Sequence, residues 1–117
     1  MSPDILQPCP KKPNCVCSFE NPKDKTHYIK PRQIAVNPIE KIKSHLEKQS
    51  GYKLLAHEER YLKFEYTSSF FKFTDDIEFL YAEVDKRLHY RSASRVGYSD
   101  LGANRKRLNE LITKLKL

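Results

Sequence analysis

The sequence predicts a two-layer α+β domain: a four-stranded antiparallel sheet with two helices on one face and an extended N-terminal segment. Three observations predict it. The first 36 residues hold six of the seven prolines and few periodic apolar positions. From Tyr52 to Ser94 the apolar period is two, the mark of strands with one dry face. On either side the period is close to 3.6, at Ile39, Ile42 and Leu46 and again at Leu101, Leu108, Leu111, Ile112 and Leu115. Short connections then favour a meander with both helices on the dry face. A chain of 117 residues suits one core of modest size.

Residues 1–36 read as an extended segment packed on the domain, anchored by Ile5, Leu6, Val16 and Phe19, and residues 37–117 as a single α+β domain. The first helix opens at Asn37 as cap. Pro38 takes the first helical position, Glu40 stands three residues after the cap, and Ser50-Gly51 closes it. Four strands follow, over roughly 52–58, 60–67, 76–84 and 87–94. Leu62, Phe64 and Tyr66 alternate with Lys63 and Glu65, so one sheet face is wet. Ser68-Ser69 breaks the pattern. Phe70, Phe71 and Phe73 are expected to lead into the third strand and cap one end of the core, with an exposed patch for a partner as the alternative. Ser99-Asp100 precedes the second helix.

The formal charge is +7, and it is unevenly spread. Residues 1–85 hold 13 basic and 13 acidic side chains, and residues 86–117 hold the other nine basic ones against Asp100 and Glu110. Such a basic third attracts anionic ligands or acidic protein partners, or is simply a solvated helix face. Tyr98 could stack on a base, but the neutral first part and the lack of a nucleic-acid motif argue against sequence-specific recognition. No apolar run approaches a membrane span. The start, MSPDILQPCP, lacks the basic and apolar stretches of a secretory leader, so the expected location is cytoplasmic.

Three cysteines stand at 9, 15 and 17, an odd number that does not by itself make a disulfide framework. A Cys9–Cys15 bridge would close a short proline-stiffened loop in an oxidising compartment; free thiols are the other reading. Zinc fits less well, because the spacing lacks the usual spacer and His27 is the nearby fourth ligand. No metal site and no cofactor is expected.

The densest polar stretch is RSASRVGYSDLGANRKR, Arg91 to Arg107. It reads as a strand end, a turn at Gly97 and a capped helix start. With Asp85-Lys86 as a two-residue hairpin turn, Phe79 faces Ser92, Ile77 faces Ser94 and Tyr81 faces Tyr90. On the other face Asp76 lies opposite Arg95, and Glu78 lies diagonal to Arg91 and Arg95.

The chain resembles a bacterial and plastid family known as domain-of-unknown-function family 1499. The residues that carry the resemblance are the Arg91-Ser92-Ala93-Ser94-Arg95 to Asn104-Arg105 block, Cys9-Pro10 with Pro13-Asn14-Cys15-Val16, Asp75-Asp76-Ile77-Glu78-Phe79, and the C-terminal helix. Cys17 departs from the family pattern, which more usually has Ser. The resemblance covers about Leu6 to Leu117 and makes Cys9 and Cys15 parts of one motif, so the two are expected to lie close together. It brings no established reaction.

The functional expectation is a small non-catalytic binding module with an arginine-centred polar site. Arg91 and Arg95 would offer planar donor forks to an anionic small molecule, a lipid headgroup or an acidic partner, with Asp76 and Glu78 holding them. Ser92, Ser94, Ser99, Asp100, Asn104 and Arg105 would line the site, free N–H groups of the second helix would add donors, and Asn14 would complete it. The runner-up is a small hydrolase using the acidic cluster of Asp75, Asp76 and Glu78, with or without a metal; Cys17 as a nucleophile lacks a His nearby in sequence, and His89, which could approach in space, reads as a partly exposed strand residue. Against it, carboxylates beside arginines make poor general acids.

Overall fold

Strand β6, Arg87–Ser94, is the axis of the sheet. The structure, a computed structural model, describes residues 3–70 and 72–117. Along the chain the elements are β1 (Cys15–Cys17), β2 (Arg32–Gln33), α1 (Ile39–Glu47), β3 (Tyr52–Glu58), β4 (Tyr61–Thr67), β5 (Thr74–Ala82), β6 and α2 (Ala103–Leu115). Strands β3 to β6 form the antiparallel meander, and β1 and β2 both pair with the far edge of β6. Among the described residues the four expected strands are thus six. The extra two span three and two residues, too short for any period to show in sequence.

Strand β5 starts and ends about two residues before its expected bounds, and the hairpin register moves with it. Ala82 pairs with Arg87, so the β5–β6 loop is Glu83 to Lys86 rather than Asp85-Lys86 alone. A two-residue type I′ turn needs positive φ at both central residues, and of these two only Lys86 has it (φ 57). Phe79 therefore faces Tyr90, Ile77 faces Ser92 and Asp75 faces Ser94. A shift of two leaves every side chain on its expected face, since the strand period is two.

Both helices cover one face. Ile39, Ile42 and Leu46 of α1 and Leu108 and Leu111 of α2 pack on Leu62, Phe64, Ile77, Phe79, Leu88 and Tyr90. Helix α1 starts one residue later than expected: Pro38 stands at the cap position, and Asn37, just before it, accepts at Oδ1 from the Ile39 N–H at 2.9 Å. Gly51, at φ 92, reverses the chain after α1. A Cβ there would stand 2.9 Å from the Thr67 carbonyl oxygen, so glycine is required.

The other sheet face is not simply wet. Leu6 of the N-terminal segment is buried against Cys17, Tyr61 and Leu80, forming a second small core. Cys9 and Cys15 are disulfide-bonded, which ties this segment to β1. Cys17 is free and fully buried, and burial pushes its thiol pKa up.

Phe70 and Phe73 do not cap the core: they are 84% and 57% exposed. Phe71 lies outside the described residues.

Candidate functional site

The structure divides the expected site residues into three groups, because successive side chains on β5 and β6 point to opposite faces. On the outer face, Arg95 donates from Nε and Nη2 to the two Asp76 oxygens at 2.9 and 2.8 Å, and from Nη2 to Glu65 at 2.8 Å. The hydrogen bonds from Arg95 hold the Asp76 carboxyl below its usual range, although partial burial opposes this. Arg91 stands 3.8 Å from Glu78 and donates to the Gln7 and Pro8 carbonyls at 2.9 and 3.4 Å. It clamps the N-terminal segment to the sheet. Glu78 also accepts from the Tyr61 hydroxyl, whose pKa is raised by burial and then by that carboxylate.

Under the helices lies the second group, centred on fully buried Asn104. Its Oδ1 accepts from Ser92 Oγ and, at 3.0 Å, from Arg107 Nη1. Its Nδ2 donates to the Asn14 carbonyl, Ser94 Oγ and Asp100 Oδ2 at 3.2, 3.0 and 2.6 Å. Arg107 also donates to Asp75 at 2.8 Å and lies 4.8 Å from the centre of the Tyr66 ring. Asn14 Nδ2 holds the Gly97 carbonyl at 2.9 Å, while its buried Oδ1 has no hydrogen-bond partner among the described residues.

The third group is the start of α2. The Asp100 carboxylate accepts from the Gly102 and Asn104 N–H groups at 2.8 and 3.1 Å. Asp100 thus takes two of the N–H groups expected to be free at the helix start, Asn104 through its carboxylate and Ala103 through its carbonyl. Ser99 Oγ accepts from the Leu101 N–H, and Arg105 reaches the Lys25 and Thr26 carbonyls, both at 3.2 Å.

Together these contacts change the meaning of the sequence charge. Acidic residues of β4 and β5 neutralise Arg91, Arg95 and Arg107, although they lie far from them along the chain. The excess positive charge is left elsewhere. A cleft of about 530 Å³ beside the start of β6 is lined by Tyr28, Lys30, Pro31, Arg32, Gln33 and Arg87, with no carboxylate side chain among them. Arg32 donates to the Leu117 oxygen at 3.2 and 2.8 Å, and Arg87 stands 3.8 Å from Asp85. This cleft was missed in the sequence because its cations come from two distant segments joined by β2. Its one sequence signal is the Lys30-Pro31-Arg32 triplet.

The groups suggested for hydrolysis do not assemble. Asp75 and Asp76 face opposite sides of the sheet, each on its own arginine. Cys17 lies in the second core, away from water. His89 pairs instead with Ser18, Nδ1 to Oγ at 2.8 Å, and burial lowers its pKa. Ser18 Oγ also accepts from the Tyr90 N–H at 2.9 Å, and both side chains are buried, so the pair secures β6. Among the described residues no three His, Cys, Asp or Glu side chains converge as metal ligands, and no helix is long and apolar enough to cross a membrane.

Neither a curated protein nor a solved structure gives a significant match to the chain. A family model described as "Protein of unknown function (DUF1499)" matches residues 5–115. That match takes in both the N-terminal segment tied down by Cys9–Cys15 and the Asn104 cluster, and the chain therefore belongs to the DUF1499 family.

Proposed function

We propose that the protein is a small non-catalytic binding module for an anionic ligand, held in the cleft of Lys30, Arg32 and Arg87. The observation that carries this reading is three cations converging on a cleft with no carboxylate side chain in its lining. Arg87 and Arg32 suit the planar oxygens of a phosphate or carboxylate, and the Tyr28 hydroxyl and Gln33 amide add neutral donors. The ligand's chemistry is that of a phosphate or carboxylate group, whether on a small molecule, a lipid headgroup or an acidic partner. Arg91 and Arg95, the arginines singled out by the sequence, are faced by the side-chain carboxylates of Glu78, Asp76 and Glu65 on neighbouring strands, whereas in the cleft Arg32 meets the Leu117 oxygen and Arg87 stands 3.8 Å from Asp85. Binding of nucleic acid through the same charge would be sequence-blind and lost at moderate salt.

Thermal melts with phosphate and sulfate test the cleft. At a hundredfold excess over Kd, binding should raise stability by about 2.7 kcal/mol. An Arg32→Gln/Arg87→Gln variant should lose that stabilisation, and Arg91→Ala should keep it. Loss in Arg95→Ala with retention in the cleft variant would move the ligand to the outer face.

The Cys9–Cys15 bond favours an oxidising compartment in place of the cytoplasmic location suggested by the first residues. Thiol counting on the denatured protein should find one thiol without reductant and three with it. Reduction should cost about 2 kcal/mol of stability, the loop-closure contribution expected for so short a loop. Three thiols in oxidised protein, or an unchanged melting temperature on reduction, would contradict this.

A further inference from the structure

At the opposite end of β6 from the cation cleft, two loops present large apolar side chains to solvent. Phe70 and Phe73 stand on the β4–β5 loop, and Val96, Tyr98 and Leu101 on the β6–α2 loop. Their exposures are 84, 57, 58, 70 and 95%. The loops meet there: the Arg95 N–H donates to the Thr74 carbonyl, and the Asp100 N–H to the Pro13 carbonyl. Pro13 brings exposed Lys11 and Lys12 alongside, and Lys72 sits between the phenylalanines. The acidic member of the β6–α2 loop, Asp100, turns its carboxylate inward onto the Gly102 and Asn104 N–H groups.

We infer that this end of the domain docks on an anionic lipid bilayer, with the two loop tips entering the interface. Four observations favour a bilayer over a protein partner. Side chains this exposed project from the surface, whereas a protein partner requires a complementary, closely packed face. The cations Lys11, Lys12 and Lys72 complement an anionic headgroup layer, which attracts basic groups close to an apolar anchor. Part of each tip backbone is bonded internally: Ser68 N–H to the Phe73 carbonyl, Lys72 N–H to the Ser68 carbonyl, Phe73 N–H to Ser68 Oγ and Leu101 N–H to Ser99 Oγ. Such loops enter a medium poor in water without stranding those N–H groups. Finally, Leu101 is held in the left-handed region at φ 54, where Gly or Asn would be less strained. An apolar side chain kept there and turned to water fits an external apolar contact, and Tyr98 has the amphipathic character favoured at membrane interfaces.

Eight residues of β6, at about 3.3 Å each, would leave the cation cleft some 25 Å from the tips and facing away from the bilayer. The docking surface therefore does not depend on the cleft.

Vesicle co-sedimentation tests the inference. Wild type should bind phosphatidylcholine vesicles carrying 3 in 10 phosphatidylglycerol about tenfold or more better than neutral ones. Phe70→Ser/Leu101→Ser should lose at least about tenfold in binding with an unchanged melting temperature, because both side chains are exposed. The chain has no Trp, so Leu101→Trp supplies a single reporter. Its emission should shift to the blue on binding and be quenched by lipids brominated in the acyl chain. The inference is overturned if wild type ignores anionic vesicles, if the serine variant binds as wild type does, or if the bound reporter stays unquenched. A tip-dependent dimer in sedimentation equilibrium, without vesicle binding, would also overturn it. The Arg32→Gln/Arg87→Gln variant should bind vesicles normally, so failure of the cleft and failure of the docking surface are read separately.

Discussion

Asn104→Ala should lower the unfolding free energy by about 3–5 kcal/mol, the largest single effect expected here. Asn104 is fully buried, and its amide joins β6, the N-terminal segment and the start of α2 through Ser92, Ser94, Asn14 and Asp100. Alanine would remove the acceptor of the Ser92 hydroxyl and of Arg107 Nη1 and the donor to Ser94 Oγ and Asp100, while the Asn14 carbonyl keeps the Ser94 N–H. Each buried group left without a partner costs about 1–3 kcal/mol, reduced where the structure relaxes or water enters. Asn104→Asp is the sharper test. It keeps the shape but replaces the donor with a carboxylate oxygen 2.6 Å from Asp100 Oδ2. It should be at least as harmful at neutral pH and recover as the pH falls, because protonation restores a donor. Urea denaturation of both variants across pH checks this; a loss below about 1 kcal/mol for alanine would show the network to be dispensable.

Arg107→Ala should cost about 3 kcal/mol or more, by leaving the Asp75 carboxylate without its partner under the helices. The two side chains are only 16% and 11% exposed, at 2.8 Å, so solvent screens them little. Arg107 also shares Asn104 Oδ1 and packs on the Tyr66 ring. Adding Asp75→Asn to Arg107→Met should recover much of the loss, since a neutral amide needs no counter-charge. The Asn104 and Arg107 effects should fall short of adding, because the two residues share partners. Full additivity in a double-mutant cycle would refute a single coupled cluster.

Much of the fold was legible because periodicity and caps are local. The β3, β4 and β6 bounds follow from side chains within a few residues of each boundary, and α1 lies where expected, though it starts at Ile39 and stops at Glu47, short of Ser50-Gly51. The hairpin register was legible only in parity. Face assignment depends on odd and even positions, whereas the exact pairing depends on the Glu83–Lys86 loop, whose conformation the sequence signals weakly. The Arg95–Asp76 pair survived the two-residue correction because long side chains reach diagonal neighbours. Arg107 and Asp75 were missed as partners, for a contact between a helix and a strand start has no sequence period.

By itself the sequence determined the α+β class, the amphipathic helices, the sheet faces and the polar density between Arg91 and Arg107. The tertiary structure decided what those polar residues do. It brought acidic side chains of β4 and β5 onto the arginines of β6 and α2. It also joined Lys30 and Arg32 to Arg87, and gathered apolar tips from two loops at the far end. The physical reason is the range of the interactions. Backbone periodicity and capping act over a few residues, but charge compensation and exposure are sums over everything folded nearby, whatever its distance along the chain.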